Sequence, residues 1–187
     1  MTQLANSITD VLADNLAARR NWDEPPQLYW LMLANGNVSL ELFPIPQDIF
    51  NLGHPVEILG EFAQAVEDNA AEFRRIIPPS FIGVAFFCEA WTINYKDHDE
   101  ARQAARQRDT QPPPSAHPQR IEQRTLIALE RSGLRFYLGQ PRGGDIETEI
   151  EHARTDDPKH AGRIPAVLAQ LLNAILGTDT PATRQTI

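Results

Sequence analysis

The chain has 187 residues and a formal net charge of −8, with 17 Lys and Arg against 25 Asp and Glu. Apolar residues make up 42%, enough for a core, and charged residues 22%, which excludes a disordered polyelectrolyte. The acidic balance argues against a nucleic-acid binder, which needs a basic face, and the single cysteine, Cys88, excludes an internal disulfide and fits a reducing compartment.

The length predicts one α+β domain over 1–177, with an insertion at about 95–119 and a disordered tail over 178–187. Asp10 and Asp14 break the apolar pattern near the start, so no signal peptide is read there. No apolar run reaches the roughly 20 residues that span a bilayer. The expectation is a soluble, cytoplasmic protein that does not enter membranes.

In chain order, Leu4, Ile8, Val11, Leu12 and Leu16 recur at helical spacing and predict a helix over 3–20. Arg19 and Arg20 would sit in its last turn, favoured by the helix dipole. After a connector over 21–27, Leu28 to Leu33 reads as a strand, with Trp30 inward and Tyr29 and Trp22 partly exposed. Asn35-Gly36 is the pair a two-residue hairpin turn prefers, and Val38 to Phe43 alternates to close the hairpin. A single helical turn follows at Gln47 to Leu52. Pro55 then opens a helix whose apolar stripe runs from Val56 to Phe73, ending near Arg75.

Phe81 to Tyr95 is the longest nearly apolar run, and residues 82–88 are uncharged on both alternating faces. This pattern predicts a central strand covered on both sides. Residues 95–119 are polar, Arg-rich and then Pro-rich, and read as a mobile insertion. Ile121 to Leu129, Leu134 to Leu138 and Ile146 to His152 read as a strand meander, the last an acidic edge strand. Pro165 starts a final amphipathic helix that Gly177 ends.

The predicted architecture is therefore an antiparallel sheet of about five to six strands covered by three main helices, in the order α-β-β-α-β-(insertion)-β-β-β-α. That order resembles profilin-like and roadblock-like domains, and it implies fold class only. Asn21 to Pro26, Gly83 to Trp91 and Arg120 to Arg124 resemble segments of actinobacterial and actinobacteriophage proteins to which no function attaches. A bacterial or phage source also fits the use of Arg over Lys, which occurs only at Lys96 and Lys159. The resemblance carries no site residue.

Three residues are the candidates for a ligand-binding site: Glu89, Trp91 and Arg124. Glu89 shares a face with Phe87 and Trp91 on the central strand, where a carboxylate needs a partner. Arg120 and Arg124 lie on one face of the neighbouring strand. A Glu89–Arg124 pair within the sheet is the structural expectation, and a polar spot at a pocket mouth beside Trp91 is the functional one. Cys88 points to the opposite face and reads as an inert core thiol. Asp97-His98-Asp99 and His152, Asp156, Asp157 and His160 have metal-ligand residue types without converging spacing, so no metal or cofactor is expected. Pro141 to Asp145 reads as a hairpin turn and not as a phosphate loop. No Gly-x-Ser-x-Gly elbow or other catalytic constellation is present.

Two functions fit these residues. The first is a non-enzymatic interaction or regulatory domain of bacterial or phage origin, with a protein partner or a second copy as its target. The alternative is a small enzyme or ligand-binding protein with a pocket near Glu89, Trp91 and Arg124.

Overall fold

A computed structural model describes residues 2–93, 114–118, 120–152 and 163–177. Helix α1 (Gln3–Ala17) leads into the hairpin β1 (Gln27–Ala34) and β2 (Asn37–Leu42). A 3-10 turn (Gln47–Asn51) precedes α2 (Pro55–Asp68) and α3 (Ala70–Ile76). Strand β3 (Phe81–Ile93), a short 3-10 turn (Pro114–Ala116), β4 (Arg120–Glu130), β5 (Leu134–Pro141), β6 (Glu147–His152) and α4 (Arg163–Leu176) complete the described residues. The insertion over 95–119, the Asp97-His98-Asp99 and Asp156 to His160 clusters and the tail over 178–187 lie largely or wholly outside them.

The six strands form one antiparallel sheet in the order β2-β1-β3-β4-β5-β6. The apolar run that opens β3 is thus in the middle of the sheet, and the acidic β6 is at its edge. Both faces are covered. Ala5, Ile8, Leu12 and Leu16 of α1 pack with Tyr29, Leu31, Ala85, Phe87, Leu126 and Phe136 on one face. Leu59 and Val66 of α2 and Leu168, Leu171 and Ile175 of α4 pack with Trp30, Val84, Phe86 and Leu129 on the other. This double cover is why β3 shows no polar alternation until Glu89.

Local chemistry accounts for the turns and irregularities. Asn35 and Gly36 both take positive φ, 53° and 81°, as a type I′ hairpin turn requires. Thr2 caps α1 by accepting a hydrogen bond from the Ala5 N–H. Gly177, at φ 71°, ends α4. At the start of β3, Leu31 pairs with Gly83 while Met32 pairs with Phe81, leaving Ile82 as a bulge. Alternation slips there, so Phe81 and Val84 share one core and Ile82 and Ala85 the other.

Three local expectations are corrected. Helix α1 stops at Ala17, so Arg19 and Arg20 lie beyond it and not in its last turn. The helix expected over 55–75 divides at Asn69, whose φ of −116° is not helical. Tyr29 is buried rather than partly exposed, because α1 covers that face of the hairpin.

Candidate functional site

Strand β1 pairs with β3 only as far as Gln27 opposite Phe87, and β5 pairs with β4 only from Gln123 opposite Pro141. Beyond those limits β3 and β4 continue together to Ile93 opposite Arg120. Residues 88–93 and 120–122 therefore form a two-stranded arm beyond the six-stranded region. On its α1 side the directly opposed pairs are Glu89 with Arg124 and Trp91 with Glu122. Ion pairs and aromatic contacts across such positions are what hold a strand pair in register.

The segment after α1 crosses the base of this arm. Arg124 Nε donates to Glu89 Oε1 at 3.2 Å, and Arg124 Nη1 donates to the Arg19 carbonyl at 2.7 Å. The Asp23 N–H donates to Glu89 Oε2 at 2.6 Å. Asp23 takes φ 67°, a left-handed conformation that a short polar side chain tolerates best after glycine. Trp22 lies against the Arg124 guanidinium at 4.3 Å and has Arg142, from the β5–β6 turn, at 5.3 Å. Arg142 donates to Glu122.

A second guanidinium anchors the other end of the strap. Arg19 donates to Glu24 at 2.6 Å, to the Gln27 side chain at 2.7 Å, to Tyr29 Oη at 2.6 Å and to Asn15 at 3.2 Å. Its guanidinium lies 3.4 Å from the Phe87 ring centroid. Among the described residues, Arg19 Nε and Arg124 Nη2 are buried without a hydrogen-bond partner, while each guanidinium lies over an aromatic ring.

Beside the strap, along the β3 edge that β1 leaves free, opens a pocket of about 370 Å³. Asp23, Glu24, Pro25 and Pro26 line one wall, Glu89, Ala90, Trp91 and Glu122 the other, and Asn51 adds a polar end. Trp91 is 42% exposed, unusual for the largest apolar side chain, and Arg120 stacks on it at 4.9 Å. Carboxylate oxygens of Asp23, Glu89 and Glu122 lie within 4.8 Å of one another, a grouping that could hold a metal ion. Guanidinium groups already supply its positive charge, through Arg124 on Glu89 and Arg142 on Glu122. The Arg142 guanidinium is pushed above its ordinary pKa, first by the hydrogen bond to Glu122, then by the charge of Glu122, with Asp23 and Glu89 adding to it.

The structure brings Glu89, Trp91 and Arg124 into one neighbourhood, but not on one wall. Glu89 and Trp91 face the pocket, while Arg124, 3% exposed, holds Glu89 in place under Trp22. Arg19, Trp22, Asp23, Glu122 and Arg142 were not among the sequence candidates. The composition of Asn21-Trp-Asp-Glu-Pro-Pro26 marks a connector, but Trp22 and Asp23 meet Arg124 and Glu89, far along the chain. Cys88 lies in the opposite core, and burial, with the neighbouring Glu89 charge, pushes its thiol up to about 12. A thiol held protonated in this way is a poor nucleophile.

No family model, curated protein or solved structure matches the chain. The likeness to profilin-like and roadblock-like domains therefore rests on element order alone. Among the described residues, no helix is long and apolar enough to cross a membrane.

Proposed function

We propose that the chain is a non-catalytic interaction domain that engages a partner protein through the pocket at the β3–β4 arm. The observation that carries this reading is Trp91, a large aromatic exposed on the wall of a pocket whose neighbours are locked by two buried guanidinium groups. Exposed aromatics set in a rigid, polar rim are the residues that dominate protein interfaces. The rigid surroundings matter, because a preformed site loses little conformational freedom on binding. Trp91, exposed at the end of the arm, gives a partner access to the pocket.

The direct test is to pan a random peptide library against the folded chain. Peptides retained by the wild type should be lost on Trp91→Ala, with thermal unfolding of that variant unchanged. Recovery of no peptide, or equal retention by the Trp91→Ala variant, rejects the pocket as an interaction site. Sedimentation of the purified chain separates a second copy from a different partner: loss of a dimer on Trp91→Ala would make the partner a second copy.

A further inference from the structure

We infer that the outer edge of β2 docks a second copy of this chain, which pairs its own β2 antiparallel about Leu40 and joins the two six-stranded sheets into one. The inference is independent of the pocket reading. Its first support is where the backbone groups of β2 point. The Phe43 N–H donates to the Leu28 carbonyl at 2.9 Å, so Leu28 and Phe43 are a hydrogen-bonded pair of the hairpin. Alternation makes Trp30–Glu41, Met32–Ser39 and Ala34–Asn37 hydrogen-bonded pairs too. Val38, Leu40 and Leu42 are left with N–H and C=O turned away from β1. Among the described residues, no strand pairs with that side.

The second support is that this edge matches itself. Pairing about Leu40 sets Leu40 against its own copy and Val38 against Leu42 of the partner subunit. The outward residues are then the hydrogen-bonded ones, each donating one N–H and accepting one. Val38, Leu40 and Leu42 share the α1 side, where Val38 and Leu40 pack at the margin of the core. Leu42, 54% exposed, gains an apolar neighbour. On the other face Ser39 meets Glu41 of the partner subunit, so the one charge on the strand does not face its like. Sliding the pairing two residues in either direction sets Leu42 against Gly36 of the turn, or Val38 against Pro44, which has no N–H. The contact is isologous and closes as a dimer. At the opposite edge, β6 carries Glu147, Glu149 and Glu151 on one side, and the same pairing about Glu149 would set like charges together. Strand β2 has no Lys, Pro or bulge, the devices that keep a free edge from pairing.

The test is sedimentation of the purified chain at about 0.15 M salt, which screens the repulsion between two chains of −8. One strand pair is a small contact, so a reversible dimer is expected, with a dissociation constant on the order of 100 μM. Leu42→Pro removes an N–H that the hairpin does not use. It should raise that constant at least about tenfold, while Tm of the dilute protein stays within about 3 °C of wild type. Register is read by oxidising variants with one added cysteine. Across the two-fold axis the Leu40 Cα atoms would be about 5.5 Å apart, within reach of a disulfide, and the Leu42 Cα atoms about 14 Å apart. Leu40→Cys should therefore give a covalent dimer and Leu42→Cys should not; the native Cys88 is buried and does not compete. A chain that stays monomeric up to about 1 mM, or that Leu42→Cys links as readily as Leu40→Cys, overturns the inference. So does a dimer lost on Trp91→Ala, which would put the contact at the pocket instead. The cross-linking comparison uses no proline, so it decides the matter even where Leu42→Pro fails to fold.

Discussion

Arg124 and Glu89 face each other across the two central strands at the base of the arm, 3.2 Å apart, with side chains only 4% and 10% exposed. The pair also ties the strap down, because Glu89 accepts the Asp23 N–H and Arg124 donates to the Arg19 carbonyl. Removing one partner leaves the other charge buried. Glu89→Ala should therefore cost about 3 kcal/mol, and lower Tm by roughly 10 °C in a chain of this size. Arg124→Met combined with Glu89→Ala should be less unstable than the sum of the single changes, since no charge is then stranded. Calorimetry that finds Glu89→Ala within about a degree of wild type would remove the pair as the anchor of the strap.

That pair was legible in the sequence because it depends on simple parity. A strand alternates, so Glu89 must share the side of Phe87, and an antiparallel neighbour can offer an arginine on the same side. The middle position of β3 was legible for a related reason: two covered faces leave no polar alternation. The places of Tyr29 and Arg19 are not legible, because their surroundings come from elsewhere in the chain. Nothing local to Leu28-Tyr-Trp shows that α1 will cover Tyr29. Nothing in a periodic stripe shows that α1 ends at Ala17 and turns Arg19 back onto Phe87. The pocket's second wall is not legible from the Glu89 strand, since it comes from a connector 66 residues earlier.

Gly83 lies next to the Ile82 bulge and opposite Glu130 of β4. A Cβ there would meet the Leu129 carbonyl oxygen at 2.2 Å and the Glu130 Cα at 3.0 Å. Both are backbone atoms in the sheet interior and cannot rotate aside. Gly83→Ala should thus cost about 3 kcal/mol or more, although alanine normally suits a strand no worse than glycine. Chemical denaturation measures this directly. A neutral substitution would mean that β3 and β4 do not approach as described.

Cys88 gives a pH-dependent outcome whose sign can be worked out. Burial, then the Glu89 charge, raises the thiol from an ordinary 9.0 to about 12 in the folded chain. Below pH 9 both folded and unfolded chains keep the proton, and the group has no effect. Between about pH 9 and 12 the unfolded chain releases it and the folded chain does not, so stability falls by about 1.4 kcal/mol per pH unit from this group. Cys88→Ala should flatten that part of the stability profile, measured by denaturant titration at each pH. The native thiol should also resist alkylation at pH 8 and react once the chain is unfolded. Rapid labelling of the native protein would contradict the burial.

Arg19 is the hub of the strap, with Glu24, Gln27, Tyr29 and Asn15 around one guanidinium. Arg19→Ala should cost about 3 kcal/mol, because it strands several buried polar atoms at once. Arg19→Lys should recover less than half of this, since an ammonium cannot fork to those acceptors and stack on Phe87 together. Burial is the main cause of the raised Tyr29 pKa, and Arg19 opposes it. Spectroscopic titration of Arg19→Ala should therefore find the Tyr29 phenol higher still. A phenol that moves down instead would show that Arg19 and Tyr29 are not in contact.

Asp23 separates the conformation of the strap from its charge. Glu89 accepts from the backbone N–H of Asp23, not from its side chain, and the backbone is at φ 67°. Glycine adopts that conformation freely, so Asp23→Gly should leave Tm within about 2 °C of wild type while removing one carboxylate from the pocket. Proline cannot adopt it and has no N–H, so Asp23→Pro should release the strap, costing about 3 kcal/mol, with a rise in the solvent exposure of Trp22 seen by fluorescence quenching. Because the two substitutions remove the same side chain, the difference between them reports the backbone alone. Equal stability of the two variants would mean that the Glu89 contact contributes nothing to holding Trp22 against Arg124.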